Sequence, residues 1–219
     1  MGIQKLILVG GGGTCSDVLS IIESINSMVP SYQCMGILDD SNELQNNSLF
    51  NLPVLGKLNC DKLCWKDVRY VDCLGSTSSF LKRQKTLIQS GFNLSSFESI
   101  ISPQAHISTT ARIGTGSIIY PGNVLMSNVH IGSHVTILPN CTFNHNIHVG
   151  DFSIVTSGVN LSGDVVIGSE CYVGTGSAIK HGVHIGNGSL VGMGSVVIHN
   201  IPPNEIVAGN PAITLKRSK

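Results

Sequence analysis

From Ile101 onward every sixth residue is large and apolar: Ile101, Ile107, Ile113, Ile119, Leu125 and Ile131 begin a series that runs unbroken to Val197. A second row, four residues after each of these, is small or β-branched, as at Ala105, Ser117, Val135, Cys141, Ser153 and Ser195. A period of six matches neither the 3.6 of a helix nor the 2 of a single strand. It is the signature of a parallel β-helix, in which each hexad supplies one short strand and one corner. Three hexads close a triangular coil of eighteen residues, and Gly114, Gly132, Gly150, Gly168 and Gly186 recur at that larger period, where tight corners call for the positive φ that glycine tolerates. The stretch predicts about five and a half coils, roughly 26 Å long at the ~4.8 Å spacing of paired strands. No inserted loop interrupts the repeat, so the outer faces are expected to be smooth and suited to packing on one another.

The chain before the repeat follows another pattern. An apolar run at residues 5–9 ends in Gly10-Gly11-Gly12-Gly13-Thr14, and a helical pattern follows through Val18, Leu19, Ile21, Ile22 and Ile25. Strand, glycine turn and helix open a Rossmann-like unit, where free N–H groups at a helix N-terminus can hold phosphate. A second strand at 34–38 ends in Asp39-Asp40, and an acid there commonly reaches a ribose hydroxyl. A third at 68–73 ends near Gly75, and a helix over 80–90 is expected, capped by Ser78 or Ser79. Alternating strands and helices predict a small parallel sheet with ligand at the strand ends, beside Gly13, Asp39 and Gly75. The dinucleotide fingerprint is incomplete, because Cys15 stands where its third glycine belongs and the region is too short for a full NAD domain. A nucleotide moiety of some other ligand and a purely structural turn both remain open. The chain thus divides into residues 1–95, α/β and Rossmann-like, and residues 96–219, a left-handed parallel β-helix whose tail around Gly209-Asn210-Pro211-Ala212 folds back as a cap.

Charge and composition narrow the partners. The formal net charge is zero and only 12% of residues are charged, which argues against nucleic acid or an anionic membrane. No apolar run is long enough to span a bilayer and no signal peptide opens the chain, so a cytoplasmic location is expected. Seven scattered cysteines read as buried reduced thiols. Cys60 and Cys64 are four apart without a second close pair, so a zinc ribbon is not expected.

All eight histidines follow residue 105, which assigns any histidine chemistry to the repeat. Stepping by eighteen, His145 shares a column with Ser127, Gly163, His181 and His199. Beside a glycine gap, a near-neutral imidazole has room to act as a base on an incoming nucleophile. His130, His148 and His184 form another column, read as solvated or interfacial, and no resident metal is expected.

With Ile7-Leu8-Val9-Gly10 and its glycine turn, Leu38-Asp39-Asp40, Leu74-Gly75, and repeats ending in Ala208-Gly209-Asn210-Pro211-Ala212, the whole chain resembles the bacterial sugar acetyltransferases. That family includes sialic acid O-acetyltransferases and UDP-4-amino-sugar N-acetyltransferases of the hexapeptide-repeat superfamily. The resemblance implies a homotrimer with active sites at subunit boundaries, acetyl-CoA as co-substrate lying between two β-helices, and a nucleotide-linked sugar held by the N-terminal part, serving surface glycan biosynthesis. It implies His145 as catalytic base with Asn146 beside it, a nucleotide pocket of Gly12, Gly13, Thr14, Asp39, Asp40 and Gly75, and acetyl-CoA contacts near Ile154, Gly163, Thr175 and Met193. Three positions depart from the family pattern. Asn146 replaces an acid, Ile154 replaces a second histidine, and Thr14 replaces a histidine after the glycine turn. The neutral Asn146 favours N-acetylation of a UDP-, GDP- or dTDP-linked amino sugar, since an unprotonated amine needs less help than a hydroxyl. Sialic acid O-acetylation, a trimeric β-helix zinc lyase and a non-catalytic partner of a sugar-pathway enzyme are the alternatives.

Overall fold

The computed structural model describes residues 2–59 and 67–215, so Cys60 and Cys64 lie outside the described residues. From Ile100–Ile101 to Val196–Val197, a two-residue strand begins every six residues. As far as Ala178–Ile179 each pairs in parallel with the strand eighteen residues on: Thr136–Ile137 with Ile154–Val155, Thr142–Phe143 with Asn160–Leu161, and His148–Val149 with Val166–Ile167. The result is a parallel β-solenoid with three flat sheets. We call first the face that starts at Ile100–Ile101, second the one at His106–Ile107, and third the one at Arg112–Ile113.

The guide row fills the solenoid, with Phe143, Leu161 and Val173 fully buried. The inner row shows why small polar residues sit there. Ser117 Oγ donates to Gly132 O (2.8 Å) and accepts from Val135 N (3.0 Å), and Ser153 Oγ repeats the arrangement with Gly168 O and Cys171 N. Each buried hydroxyl therefore stitches its own coil to the next and leaves no group unsatisfied. The eighteen-residue glycines correct the sequence reading. Gly114, Gly132, Gly150, Gly168 and Gly186 do not have positive φ. They are required for close approach instead, since a Cβ on Gly168 would stand 2.7 Å from Asn187 N and one on Gly186 2.7 Å from Pro203 Cα. Positive φ falls elsewhere in the corners, at Asn128 (58°), Asn146 (57°) and Asp164 (59°) along one edge of the prism.

At the N-terminus, β1 (Gln4–Val9), β2 (Tyr32–Leu38), β3 (Ser48–Leu49), β4 (Leu52–Gly56) and β5 (Val68–Asp72) form a sheet of order β3-β4-β2-β1-β5. All of its pairs are parallel except β3 with β4. The predicted strands are present, whereas the β3–β4 hairpin was not anticipated. Its two-residue turn puts Phe50 (51°) and Asn51 (61°) in the left-handed region, a geometry usually announced by Asn-Gly. The helix α1 spans Gly13–Met28, and α2 spans Arg83–Gln89 after a 3₁₀ turn at Phe80–Lys82. Ser79 does not cap that turn with its side chain, because its Oγ accepts from Ser76 N instead (3.1 Å). Among the described residues no helix is long and apolar enough to cross a membrane. The tail does fold back: Ile206–Gly209 pairs in parallel with Leu190–Val191 and antiparallel with Ala212–Thr214.

The sheet and α1 pack on the first face of the solenoid. Leu6, Leu8, Val18, Ile100, Ile118 and Tyr120 share one core, while Ile7, Tyr70, Phe97 and Phe152 share another across the sheet. A buried polar cluster crosses the junction. Asp72 Oδ2 accepts from Arg83 Nε (2.9 Å) and faces His134 Nδ1 (3.1 Å), and Asp72 Oδ1 accepts from Leu74 N (3.2 Å). The second imidazole nitrogen of His134 lies 3.2 Å from Leu94 O, and its ring stacks on Phe152 at 4.6 Å. His134 and Phe152 both hold positive φ in the corner between the third and first faces, which projects their rings into the junction. Removing one partner of a buried charge pair strands the other, so Asp72→Ala is expected to destabilise the fold by about 3–5 kcal/mol in urea titration.

Candidate functional site

The glycine turn joins β1 to α1 in the open. A Cβ on Gly12 or Gly13 would meet nothing within 4 Å. Helix α1 begins without a side-chain cap or an acid in its first turn, so its N-terminal N–H groups remain electropositive. Asp39 closes this turn, with Oδ2 accepting from Gly11 N (2.7 Å) and Oδ1 from Ser41 N (2.8 Å). Asp40 Oδ1 accepts from Leu58 N (3.0 Å). Both acids thus hold their own strand ends in place.

Three of the expected site residues meet where the sheet touches the solenoid. Thr14, Leu74, Gly75 and Ser76 from the N-terminal unit, with Thr136, Leu138, Ile154, Thr156 and Tyr172 from the first face, line a pocket of about 60 Å³. Gly75 has φ 141°, and a Cβ there would come within 2.9 Å of Ile154 Cδ1, so only glycine lets the loop lie against the face. Sequence reasoning found Thr14, Gly75 and Ile154 but missed Thr136 and Tyr172. These stand eighteen residues either side of Ile154, and that step would have identified them.

Thr175 and Met193 lie outside the pocket, eighteen apart on the corner between the first and second faces. Thr175 Oγ1 donates to the pocket residue Thr156 (3.2 Å), and Met193 is 80% exposed. His145 lies elsewhere again, in the corner between the second and third faces. Its imidazole covers Gly163: a Cβ on that glycine would fall 2.6 Å from Nε2 and 2.9 Å from Nδ1. The gap expected to admit a ligand is therefore filled by the ring of His145 itself.

The Asn146 side chain finds its hydrogen-bond partners away from that imidazole. Its amide donates to Asp164 Oδ1 (2.9 Å) and accepts from Asn128 Nδ2 (3.1 Å), forming a ladder along the corner. Asp164 Oδ2 in turn lies 3.4 Å from His181 Nε2, and the His145 and His181 rings are 6.4 Å apart. Cys141 is sealed in the inner row with its Sγ 3.1 Å from Thr156 O, and burial pushes its thiol up to about 11. It is therefore no nucleophile at neutral pH. His130 and His148 stack on the third face at 4.8 Å, and among the described residues no three His, Cys, Asp or Glu side chains cluster in a way that would hold a metal ion.

No family model matches the sequence, and no curated protein matches it. Solved structures do. The acetyltransferase domain of PglB from Neisseria gonorrhoeae FA1090, in complex with acetyl coenzyme A, is 28% identical over 98% of this chain and 100% of its own, with a TM-score of 0.81. A mutant of GDP-perosamine N-acetyl transferase from Caulobacter crescentus, in complex with CoA and GDP-perosamine, is 23% identical over 99% of each chain (TM-score 0.83). WeeI from Acinetobacter baumannii AYE is 22% identical over 96% of this chain and 99% of its own (TM-score 0.65). The resemblance read from the sequence thus holds in three dimensions: the chain shares its fold with acetyl-CoA-dependent sugar N-acetyltransferases.

Because Asn146 belongs to the corner ladder, Asn146→Asp sets two carboxylates against each other. It is expected to cost about 0.2–1 kcal/mol in thermal denaturation while leaving the rate of any His145-dependent reaction unchanged in steady-state assays.

Proposed function

We propose that this chain transfers acetyl from acetyl-CoA to the amino group of a nucleotide-linked amino sugar, as a homotrimer whose active sites are shared between copies. In this reading residues 1–95 are a Rossmann-like unit that holds the nucleotide at Gly12, Gly13, Thr14, Asp39, Asp40 and Gly75. Residues 96–219 are a left-handed β-helix that carries acetyl-CoA past Ile154, Gly163, Thr175 and Met193. Likeness to the PglB acetyltransferase domain along almost the whole chain supports the reaction class. One observation carries the shared site: the pocket of Thr14, Gly75 and Ile154 opens on the first face, while His145 occupies the corner opposite that face. Within one chain the solenoid stands between them, so His145 meets such a pocket only on a neighbouring copy.

The sugar amine attacks the thioester carbonyl, forming the C–N bond. His145 accepts the proton released by the nitrogen, and collapse of the tetrahedral intermediate breaks the C–S bond as the proton passes to the departing thiolate. The N–H of Gly163 donates to no backbone carbonyl among the described residues and is available to the oxyanion. No carboxylate pairs with the His145 ring among the described residues. The base is then unassisted, which suits an amine better than a hydroxyl.

The test is coenzyme A release with a panel of UDP-, GDP- and dTDP-linked amino sugars beside CMP-sialic acid and free sialic acid, with mass analysis of the product. Turnover on an amino sugar is expected, and His145→Ala should lower it by about 10²–10⁴ with the oligomer intact in size-exclusion chromatography. Full activity in that variant, or turnover on sialic acid species alone, refutes the assignment. Sharing of the site has its own check. When inactive His145→Ala chains are co-assembled in equal amounts with pocket-blocked Thr14→Trp chains, roughly a quarter of the sites combine two intact halves, and activity should return to about that fraction. No recovery in verified mixed oligomers rules sharing out.

A further inference from the structure

Two of the pocket's polar side chains are engaged within the protein. Thr156 Oγ1 donates to Val173 O (2.7 Å) and accepts from Thr175 Oγ1 (3.2 Å), while Ser76 Oγ is bonded to Ser78 and Ser79 (both 2.9 Å). Thr136 differs from the other pocket residues, because its hydroxyl is both buried and unpartnered among the described residues. The residue is only 5% exposed. Its backbone is fixed, with its N–H donating to Ser153 O (3.0 Å), and its β-branched side chain has little χ1 freedom.

Packing gives no reason for a hydroxyl at this point. The two residues paired with Thr136 on the adjoining coils are Ile118 and Ile154, both buried and apolar. Valine would fill the same shape without the penalty of an unsatisfied buried hydroxyl. The inner-row serines sharpen the contrast, since each buried hydroxyl there is used by the next coil. The unpaired one lies in the wall that also presents Thr14 and Gly75.

The geometry points to Thr136 as a specificity-determining residue: its Oγ1 hydrogen-bonds one hydroxyl or amino group of the acceptor sugar seated in the pocket that Thr14, Gly75 and Tyr172 also line. This rests on the acetyl-transfer reading and adds to it the contact by which the first face of the solenoid, rather than the nucleotide-holding loops, distinguishes one sugar from another. A site built to hydrogen-bond a substrate group rejects the analogue that lacks it, because the protein partner is then left unpaired.

The experiment compares wild type, Thr136→Val and Thr136→Ser on the preferred nucleotide sugar and on analogues each lacking one hydrogen-bonding group. Thr136→Val is expected to raise KM for the sugar by about three- to tenfold, with KM for acetyl-CoA unchanged and the ligand-free melting temperature raised or equal. Thr136→Ser should behave as wild type. One analogue should be discriminated by wild type and not by Thr136→Val, the signature of a direct pair. If every analogue is discriminated equally by wild type and Thr136→Val, the assignment is overturned, whether or not the variant is less stable. A parallel rise in KM for both substrates overturns it as well. Absence of turnover by wild type on every amino sugar sinks the acetyl-transfer reading itself, an outcome distinct from turnover that is indifferent to Thr136.

Discussion

Everything in this molecule depends on the hydrogen bonds that tie each coil to the next. A two-residue strand is too short to be stable alone, and each one here survives because its neighbours eighteen residues away repeat its geometry. That requirement fixes the corners. Residues eighteen apart must share one backbone conformation, which explains why Asn128, Asn146 and Asp164 hold almost the same positive φ and why glycine recurs where one coil crosses closely over another. Side chains at equivalent positions are then stacked along the prism, so chemistry is arranged in columns.

The columns account for the division of labour around the site. The first face is covered by the N-terminal sheet and helix, and the pocket opens where that cover ends, at the Gly75 loop. The opposite corner carries His145, cushioned on Gly163 and flanked by a ladder of amides and Asp164. A prism of this kind cannot fold one of its edges round to meet another. Its rigidity sets His145 precisely in space and also prevents it from reaching a pocket on the far side of its own chain. In the proposed reading, association of copies completes a site that folding leaves in halves.

The solenoid was legible because its determinants are periodic. The guide row and the inner row follow from counting in sixes, the fold-back of the tail from the end of that count after Val197, and the strands around Val9 and Leu38 from apolar runs that end in Gly10 and Asp39. What the sequence hid is aperiodic or long-range. Phe50-Asn51 makes a tight hairpin turn without glycine, and nothing local marks it. Asp72, Arg83 and His134 come from a strand, a helix and a corner, and their pairing exists only after the two parts dock. Asn146 stands next to His145 in sequence, yet in a corner adjacent side chains diverge, so the nearness that suggested an electronic influence becomes a structural tie to Asp164.

The same register limits how such a chain can change length over evolutionary time. Inserting a single hexad would preserve the guide row and most backbone pairing, so the fold would tolerate it. Every column downstream would nevertheless move one face round the prism, separating Thr136 from Ile154 and carrying His145 away from its edge. Between Thr136 and Tyr172 even a whole added coil would part residues that now stack on adjoining coils, so chains that keep the site must keep that stretch at its present length. Single hexads are free to come and go only beyond Met193, towards the closing strands Ile206–Gly209 and Ala212–Thr214.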